Sequence, residues 1–401
     1  MGDAEHMTDS QSERAAERDR GKGQSPAPLS DLLAVKQDRR SFLRAGALSL
    51  ALPAAVGALA ACSSSGGSGA GTAASDSTEA GTGGGAGSAL DRNASSRADT
   101  GVHAGPGGSS ATPPTQRDAQ TTAFHRYEPT LPPVSGQRTH KVNWTVRELP
   151  VRISKDLVVA AWTFEGEIPG PVLHVRQGDT VEFTMTNRGA IPHSMDFHAS
   201  QIDPKVAFKT VVPGESISFT FRARYPGAFM YHCGTAPVLM HIGTGMYGAI
   251  IVDPPTPLPP AKEFVLVHSE YYLKPGAGGV SVFDYDKMLT LLPDHVVFNG
   301  RPGQYLDEPI RARVGDRVRF YVVNAGPTHP CAFHVVGEQF DRVYLGAPPE
   351  TPIRGVQTFN VPAGGGMVFE YLADIAGEFP FVNHGFGHGQ KGAVGLLVVE
   401  P

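Results

Sequence analysis

The chain has 401 residues and a formal net charge of −5, long enough for two or three domains and too mildly charged, with no basic run, to argue for nucleic acid as a partner. Its 48 glycines and 34 prolines are too many for a helical protein and suit short strands, turns and flexible linkers. Only three cysteines occur, Cys62, Cys233 and Cys331, so no disulfide framework is expected.

The first element, over 1–62, is a targeting segment. Arg39-Arg40-Ser41-Phe42-Leu43-Arg44 is a twin-arginine pattern, followed by a weakly apolar run from Ala45 to Ala61. Gly46, Ser49, Pro53 and Gly57 make that run a poor permanent membrane helix. It ends in Leu59-Ala60-Ala61-Cys62, which resembles the lipobox of bacterial lipoprotein signals. The resemblance implies cleavage before Cys62, a lipid on its sulfur, and a protein exported to the extracytoplasmic face of the cell membrane; ordinary cleavage with free release is the alternative. Met7 is a second candidate start. Residues 63–122 are dominated by Gly, Ser, Ala and Thr, with Leu90 and Val102 the only large aliphatics. Such a linker cannot bury enough apolar surface to order itself. As a Gly/Ser-type coil it spans roughly 40–45 Å and serves as a tether.

From Thr139 onward short strands alternate with period two between Pro, Gly and Asp, as in 158–164, 180–185 and 216–221. No amphipathic helix longer than two turns stands out, and the pattern reads as all-β sandwiches. There is an internal repeat. Gln177-Gly178-Asp179-Thr180-Val181-Glu182-Phe183 matches Val314-Gly315-Asp316-Arg317-Val318-Arg319-Phe320, and Pro226-Gly227-Ala228-Phe229 matches Ala376-Gly377-Glu378-Phe379. The proline-rich joint 254–260 divides the copies into domains over 123–254 and 255–401.

Both copies hold a His-x4-His pair, His193 with His198 and His329 with His334, which makes His334 the expected repeat partner of His198. Cys233 is answered by Asn383 and Met246 by Ala393. The second copy has therefore lost a thiolate and a thioether. In the first copy His193, Cys233, His241 and Met246, the last three in one loop after a strand, form a ligand set that favours an electron-transfer copper over zinc. Adjacent strand residues face opposite ways, so His232 is expected on the far side of the wall from Cys233, joined there by His198. A metal with an open position wants a third histidine; the candidate is His384, arriving from a neighbouring subunit. Asp196 shares the face of His198, and with His334 it is a candidate proton donor.

These motifs, with Trp162-Thr163-Phe164-Glu165-Gly166, Pro192 to His198, Tyr231-His232-Cys233 through Met246, Phe333-His334-Val335-Val336-Gly337 and Val382-Asn383-His384, make the chain from Thr139 to Pro401 resemble the copper-containing nitrite reductases of denitrification. The eight-residue step from Cys233 to His241 resembles the branch with the compact loop. The resemblance implies two tandem cupredoxin-like Greek-key β-sandwich domains and two coppers per subunit. His193, Cys233, His241 and Met246 match the type 1 ligands. His198, His232 and a neighbour's His384 match the type 2 ligands, in a homotrimer. Asp196 and His334 match the catalytic acid pair, and Thr358 a threonine that supports the catalytic histidine. Val336 departs from the isoleucine many members carry over the substrate. An electron from an external donor, a cupredoxin or a cytochrome c, is expected to cross the Cys233–His232 link and, with two protons, convert nitrite to nitric oxide and water. A two-domain multicopper oxidase would need His-x-His pairs that are absent here. A cupredoxin-type electron carrier would leave Asp196, His198, His334 and His384 idle, and a zinc hydrolase would leave Cys233 and Met246 unexplained.

Overall fold

A computed structural model describes residues 123–345 and 351–401. The expectations for 1–62, for 63–122 and for Cys62 lie outside the described residues. Among the described residues the longest helix, Val238–Gly243, has six residues, and none is long and apolar enough to cross a membrane.

The first copy contributes β1 (Thr139–Ser154), β2 (Leu157–Phe164), β3 (Leu173–Arg176), β4 (Thr180–Asn187), β5 (Asp196–Phe197), β6 (Ser216–Arg222), β7 (Gly227–His232) and β8 (Tyr247–Asp253). The second copy opens with β9 (Lys262–Tyr271), β10 (Leu273–Pro275), β11 (Ser281–Phe283), β12 (His295–Phe298), β13 (Ile310–Arg313) and β14 (Arg317–Gly326). It closes with β15 (Cys331–Val335), β16 (Arg342–Tyr344), β17 (Thr358–Val361), β18 (Gly366–Leu372), β19 (Gly377–Asn383) and β20 (Val394–Glu400). They form two sandwiches, as expected. One pairs the sheet β10-β11-β2-β1-β4-β6 with β3-β8-β7-β5; the other pairs β12-β9-β14-β18-β16 with β13-β20-β19-β15-β17. β10 and β11 lie beyond the proline joint, yet they extend the edge of the first copy's sheet.

Period-two alternation places the cores. On β4, Val181, Phe183 and Met185 are buried while Glu182 is exposed. The first core gathers around Trp144, whose ring lies 5.0 Å from Tyr231, 5.4 Å from Phe183 and 6.1 Å from Phe197 between centroids. The second gathers Phe320, Phe333, Phe369 and Phe381.

A third apolar layer lies between the copies. Ala228 and Met230 of β7 and Ala249 and Ile251 of β8 cluster with Val265 and Val267 of β9 and Tyr321 and Val323 of β14. Covered on both faces, β8 reads as a nearly unbroken apolar run rather than an alternating one, and β14 is buried from Val318 to Gly326 even though it carries Arg319 and Asn324. The approach is close at Gly366, where an added Cβ would stand 2.2 Å from the Ala228 carbonyl oxygen. β7 is thus a shared wall: Tyr231 and Cys233 point into the first core, Ala228 and Met230 toward the second copy.

Trp144→Ala removes the centre of the first core. It is expected to lower unfolding free energy by about 3–5 kcal/mol, read by denaturant titration of the 123–401 fragment. A loss well under that range would mean the aromatic cluster does not hold the sandwich together.

Candidate metal centres

At the end of β7 the first site closes inside the core. His193, Cys233 and His241 are all buried and offer ligand atoms within 4.8 Å of one another. Cys233 Sγ is 3.2 Å from His241 Nδ1, and the two Nδ1 atoms of His193 and His241 are 3.3 Å apart. Met246 is fully buried in the same core cluster, and its backbone closes the loop: Cys233 N–H donates to Met246 O at 3.1 Å and Met246 N–H to His241 O at 3.2 Å. His241 sits on the short helix Val238–Gly243 rather than on a plain turn. Burial pushes the Cys233 thiol up, but hydrogen bonds from His193 and His241 and the charge on His241 outweigh it and hold the group well below its ordinary value. Ser194 N–H adds a hydrogen bond to Sγ at 3.3 Å. The pocket therefore favours a thiolate, the form that binds metal.

The second site lies on the opposite face of β7. Asp196, His198 and His232 form a separate group within 4.8 Å, with Asp196 paired to His232 across β5 and β7. Each imidazole has its outer nitrogen held. His198 Nδ1–H donates to Gly364 O at 2.9 Å and His232 Nδ1–H to Cys233 O at 2.8 Å. The two Nε2 atoms are left facing each other at 3.1 Å, with an Asp196 carboxylate oxygen 3.7 Å from that of His232. Desolvation, then the neighbouring His232, push His198 down toward the neutral form, against the opposing charge of Asp196. Two lone pairs converging beside a carboxylate fit a cation held between them.

His384 does not join that group within its own chain. Its backbone N–H donates to Ala332 O at 2.7 Å, and its exposed ring lies 5.2 Å from that of His334. His334 Nδ1–H donates to Gln357 O at 2.6 Å. The ring is thus held by the Gln357 carbonyl, while Thr358, the expected support, is its cross-strand partner. Val336 is 42% exposed beside it.

The multicopper oxidase family model matches residues 145–257. The chain is 40% identical over 294 residues to the copper-containing nitrite reductase of Neisseria meningitidis serogroup A, a match covering 71% of this chain and 75% of that one. Among solved structures it resembles the copper nitrite reductase of Nitrosomonas europaea, with a TM-score of 0.61 and 36% identity over 65% of this chain and 94% of that one. A multicopper oxidase crystal structure resembles it at 26% identity with a TM-score of 0.59, over 65% of this chain and 89% of that one. The chain belongs to the copper-containing nitrite reductase family.

Within this nitrite reductase the repeat needs one correction. His334 was expected to correspond to His198, but it pairs with Val382 as Asp196 pairs with His232. Val336 N–H donates to Pro380 O at 2.7 Å where His198 N–H donates to Met230 O at 3.0 Å. So His334 stands in the place of Asp196, and Val336 in the place of His198. β15 is slipped by two residues against β19, and an even slip keeps every side chain on its face. Two further residues stand at the first site: Glu148, which escaped sequence reasoning, and Trp162, given above as part of a motif but not as a site residue. Glu148 Oε1 accepts from His193 Nε2–H at 2.7 Å, and Trp162 lies 4.7 Å from His241 between ring centroids. The alternation of β1 was the one signal available for Glu148.

If His193 holds copper, as the ligand set suggests, the Glu148 carboxylate would raise its basicity and stabilise the more positive, oxidised metal. Glu148→Gln keeps an acceptor but removes the charge. The copper potential, followed by redox titration of the thiolate absorption, is expected to rise by roughly 59 mV for each tenfold change in Cu(II)-over-Cu(I) preference. An unchanged or lowered potential contradicts the role.

Proposed function

We propose that this protein is a dissimilatory nitrite reductase that joins one electron and two protons to nitrite, releasing nitric oxide and water. The observation that carries the reading is the placement of a thiolate pocket and a convergent imidazole pair on adjacent residues of one strand, Cys233 and His232. The type 1 set His193, Cys233, His241 and Met246 would hold a copper that supplies one-electron exchange, and the type 2 set His198, His232 and a neighbour's His384 a second that would act as a Lewis acid toward nitrite oxygens.

The chain's own residues do the rest. The covalent path from Cys233 to His232, with the His232 Nδ1–H bond to Cys233 O as a shorter route alongside it, links the two sites. Asp196, beside His232 Nε2, is placed to hold a proton for the nitrite oxygen that leaves as water. His334 is the second proton donor, and Val336 lines the same side. An external cupredoxin or cytochrome c delivers the electron.

The type 2 set is incomplete in one chain, which favours a homotrimer in which His384 comes from a neighbouring subunit. A groove of about 440 Å³ lined by His198, Tyr225, Phe229, Leu345, Pro362 and Met367 adjoins His198 and suits an apolar face of a second copy. A two-domain multicopper oxidase remains less favoured, because the His-x-His pairs of a trinuclear cluster are missing. The twin-arginine and Cys62 motifs favour export and lipid anchoring at the extracytoplasmic face of the membrane.

His198→Ala is expected to abolish nitric oxide production while the thiolate–copper absorption persists; surviving activity sinks the second-site assignment. If the site is shared, His198→Ala and His384→Ala chains, each inactive alone, should recover activity when refolded together. No recovery in verified mixed trimers would argue for a site within one chain. For the anchor, metabolic labelling with a fatty acid should mark the wild-type protein and not Cys62→Ala; equal labelling, or none in either, rules it out.

A further inference from the structure

We infer that residues 123–138 form a strap across the two copies, fastened by a proton-dependent latch in which His174, as an imidazolium, is gripped between the Pro132 carbonyl and the Asp253 carboxylate. The strap covers a sheet edge that would otherwise be open. β12 pairs with β9 only over 268–271. The stretch of β9 before it is paired with the strap instead: Leu131 N–H donates to Glu263 O at 3.0 Å and Val265 N–H to Pro129 O at 2.7 Å. Leu131 is buried and belongs to the apolar layer between the copies. Beyond Pro132 the strap runs beside β3 of the first copy, where Arg176 Nη1 donates to Ser135 O at 2.6 Å.

His174 lies on β3, the outer strand of its sheet, with its side chain only 7% exposed. Its Nδ1 is 2.7 Å from Pro132 O and its Nε2 is 3.0 Å from Asp253 Oδ1. A carbonyl and a carboxylate only accept, so each ring nitrogen needs a hydrogen. A neutral imidazole has one. Either neutral tautomer would set a lone pair against an oxygen, Nδ1 against the carbonyl or Nε2 against the carboxylate. Only the imidazolium satisfies both. The Asp253 contact is an ion pair set off the line of a hydrogen bond. Charge rather than direction holds it, and it is lost with the proton. Burial works against that charge, but Asp253 and then the Pro132 carbonyl outweigh it and hold His174 above its ordinary value of 6.5.

Charged groups surround the latch on several elements. Glu263 of β9 adds a negative charge, and it is itself held by Arg319 Nη1 at 2.6 Å and the Tyr321 hydroxyl at 2.9 Å, both of β14. On β1, His140 and Lys141 line the same groove as His174. His140 Nε2 is 2.7 Å from Asp179 Oδ2, and Arg138 pairs with the other Asp179 oxygen at 2.9 Å. Because the latched ring holds its proton more tightly than a released one, closure is fully favoured below the ordinary histidine value. It weakens as pH rises above that value and gains nothing from the proton once the latched ring has titrated. The Arg176 contact, and Tyr127 N–H to Gln304 Oε1 at 2.8 Å, keep their form throughout, so the opening is confined to 129–132. It bares Leu131 and uncovers the 263–265 edge of β9.

Hydrogen–deuterium exchange of the full-length protein tests the latch from about pH 6 to about pH 9, each rate being corrected for the intrinsic pH dependence of exchange. The Leu131 and Val265 amides report the strap. In wild type their protection is expected to fall by up to about tenfold per pH unit above the ordinary histidine value, while the β4 amides hold level. His174→Gln is expected to show low protection with no such fall. Asp253→Asn, which keeps an acceptor but removes the charge, is expected to move the fall to lower pH and serves as the test if His174→Gln folds poorly. His140→Gln is expected to leave the fall in place. A level wild-type profile, a fall that survives His174→Gln, or one abolished by His140→Gln overturns the latch. So does an Asp253→Asn profile identical to wild type, or a matching fall in the β4 amides.

Discussion

The arrangement depends on β7 being covered on both faces. An ordinary outer strand would present one residue of each adjacent pair to water, and a histidine next to a buried cysteine would be solvated. Here the second copy's sheet lies against the far side, so Ala228 and Met230 are buried as well as Tyr231. His232 is held in that interface while Cys233 is held in the core. One peptide unit therefore separates two environments: a sealed pocket rich in soft and borderline donors, and a face lined by Asp196 and His198 that opens toward the surface. Neither ligand could be moved to the other environment without a one-residue slip of the whole strand, which would turn its apolar residues out of both cores.

The second copy shows what becomes of that geometry when the sulfur ligands are gone. A buried polar side chain left without partners costs about 1–3 kcal/mol, so the position of Cys233 could not simply empty. Asn383 fills it with an amide that accepts the backbone N–H groups of Ala332 and Gly385 and donates toward two imidazoles. The strand end is pinned by hydrogen bonds instead of coordination bonds, and the residue just beyond it, His384, projects outward. Both copies use a fixed strand end to present a neighbouring histidine.

Much of this was legible in the residues alone. The alternation of His232 and Cys233, the odd step from His193 to His198 and the even step from Asp196 to His198 need only the pleat of a strand to sort ligands into two groups. The substitution of Cys233 by Asn383 and of Met246 by Ala393 follows from aligning the repeat. What stayed hidden had physical reasons. His388 lies five residues after Asn383 where His241 lies eight after Cys233, so loop length concealed a partner that only the shared backbone bonds expose. The His-x4-His pairs look equivalent but are not, because cross-strand register depends on neighbours rather than on a motif. Glu148 is distant in sequence from His193; the alternation of β1 marks the face it lies on but not its partner. The third apolar layer was concealed for another reason: a strand buried on both faces loses the alternation by which strands are recognised.

The corrected register also bears on the proposed shared site, which would need two proton donors. Asp196 and His334 occupy equivalent places in the two sandwiches, each opposite the residue that precedes a fixed one, Cys233 or Asn383. In the proposed homotrimer, a closed head-to-tail ring would bring the first copy of one subunit against the second copy of the next. If equivalent faces meet there, the carboxylate and the imidazole arrive on opposite sides of whatever His198, His232 and a neighbour's His384 hold. A site inside either sandwich would have only one of them. On that reading the two halves, alike in backbone but unlike in metal ligands, would each supply one acid and the assembly would bring them together.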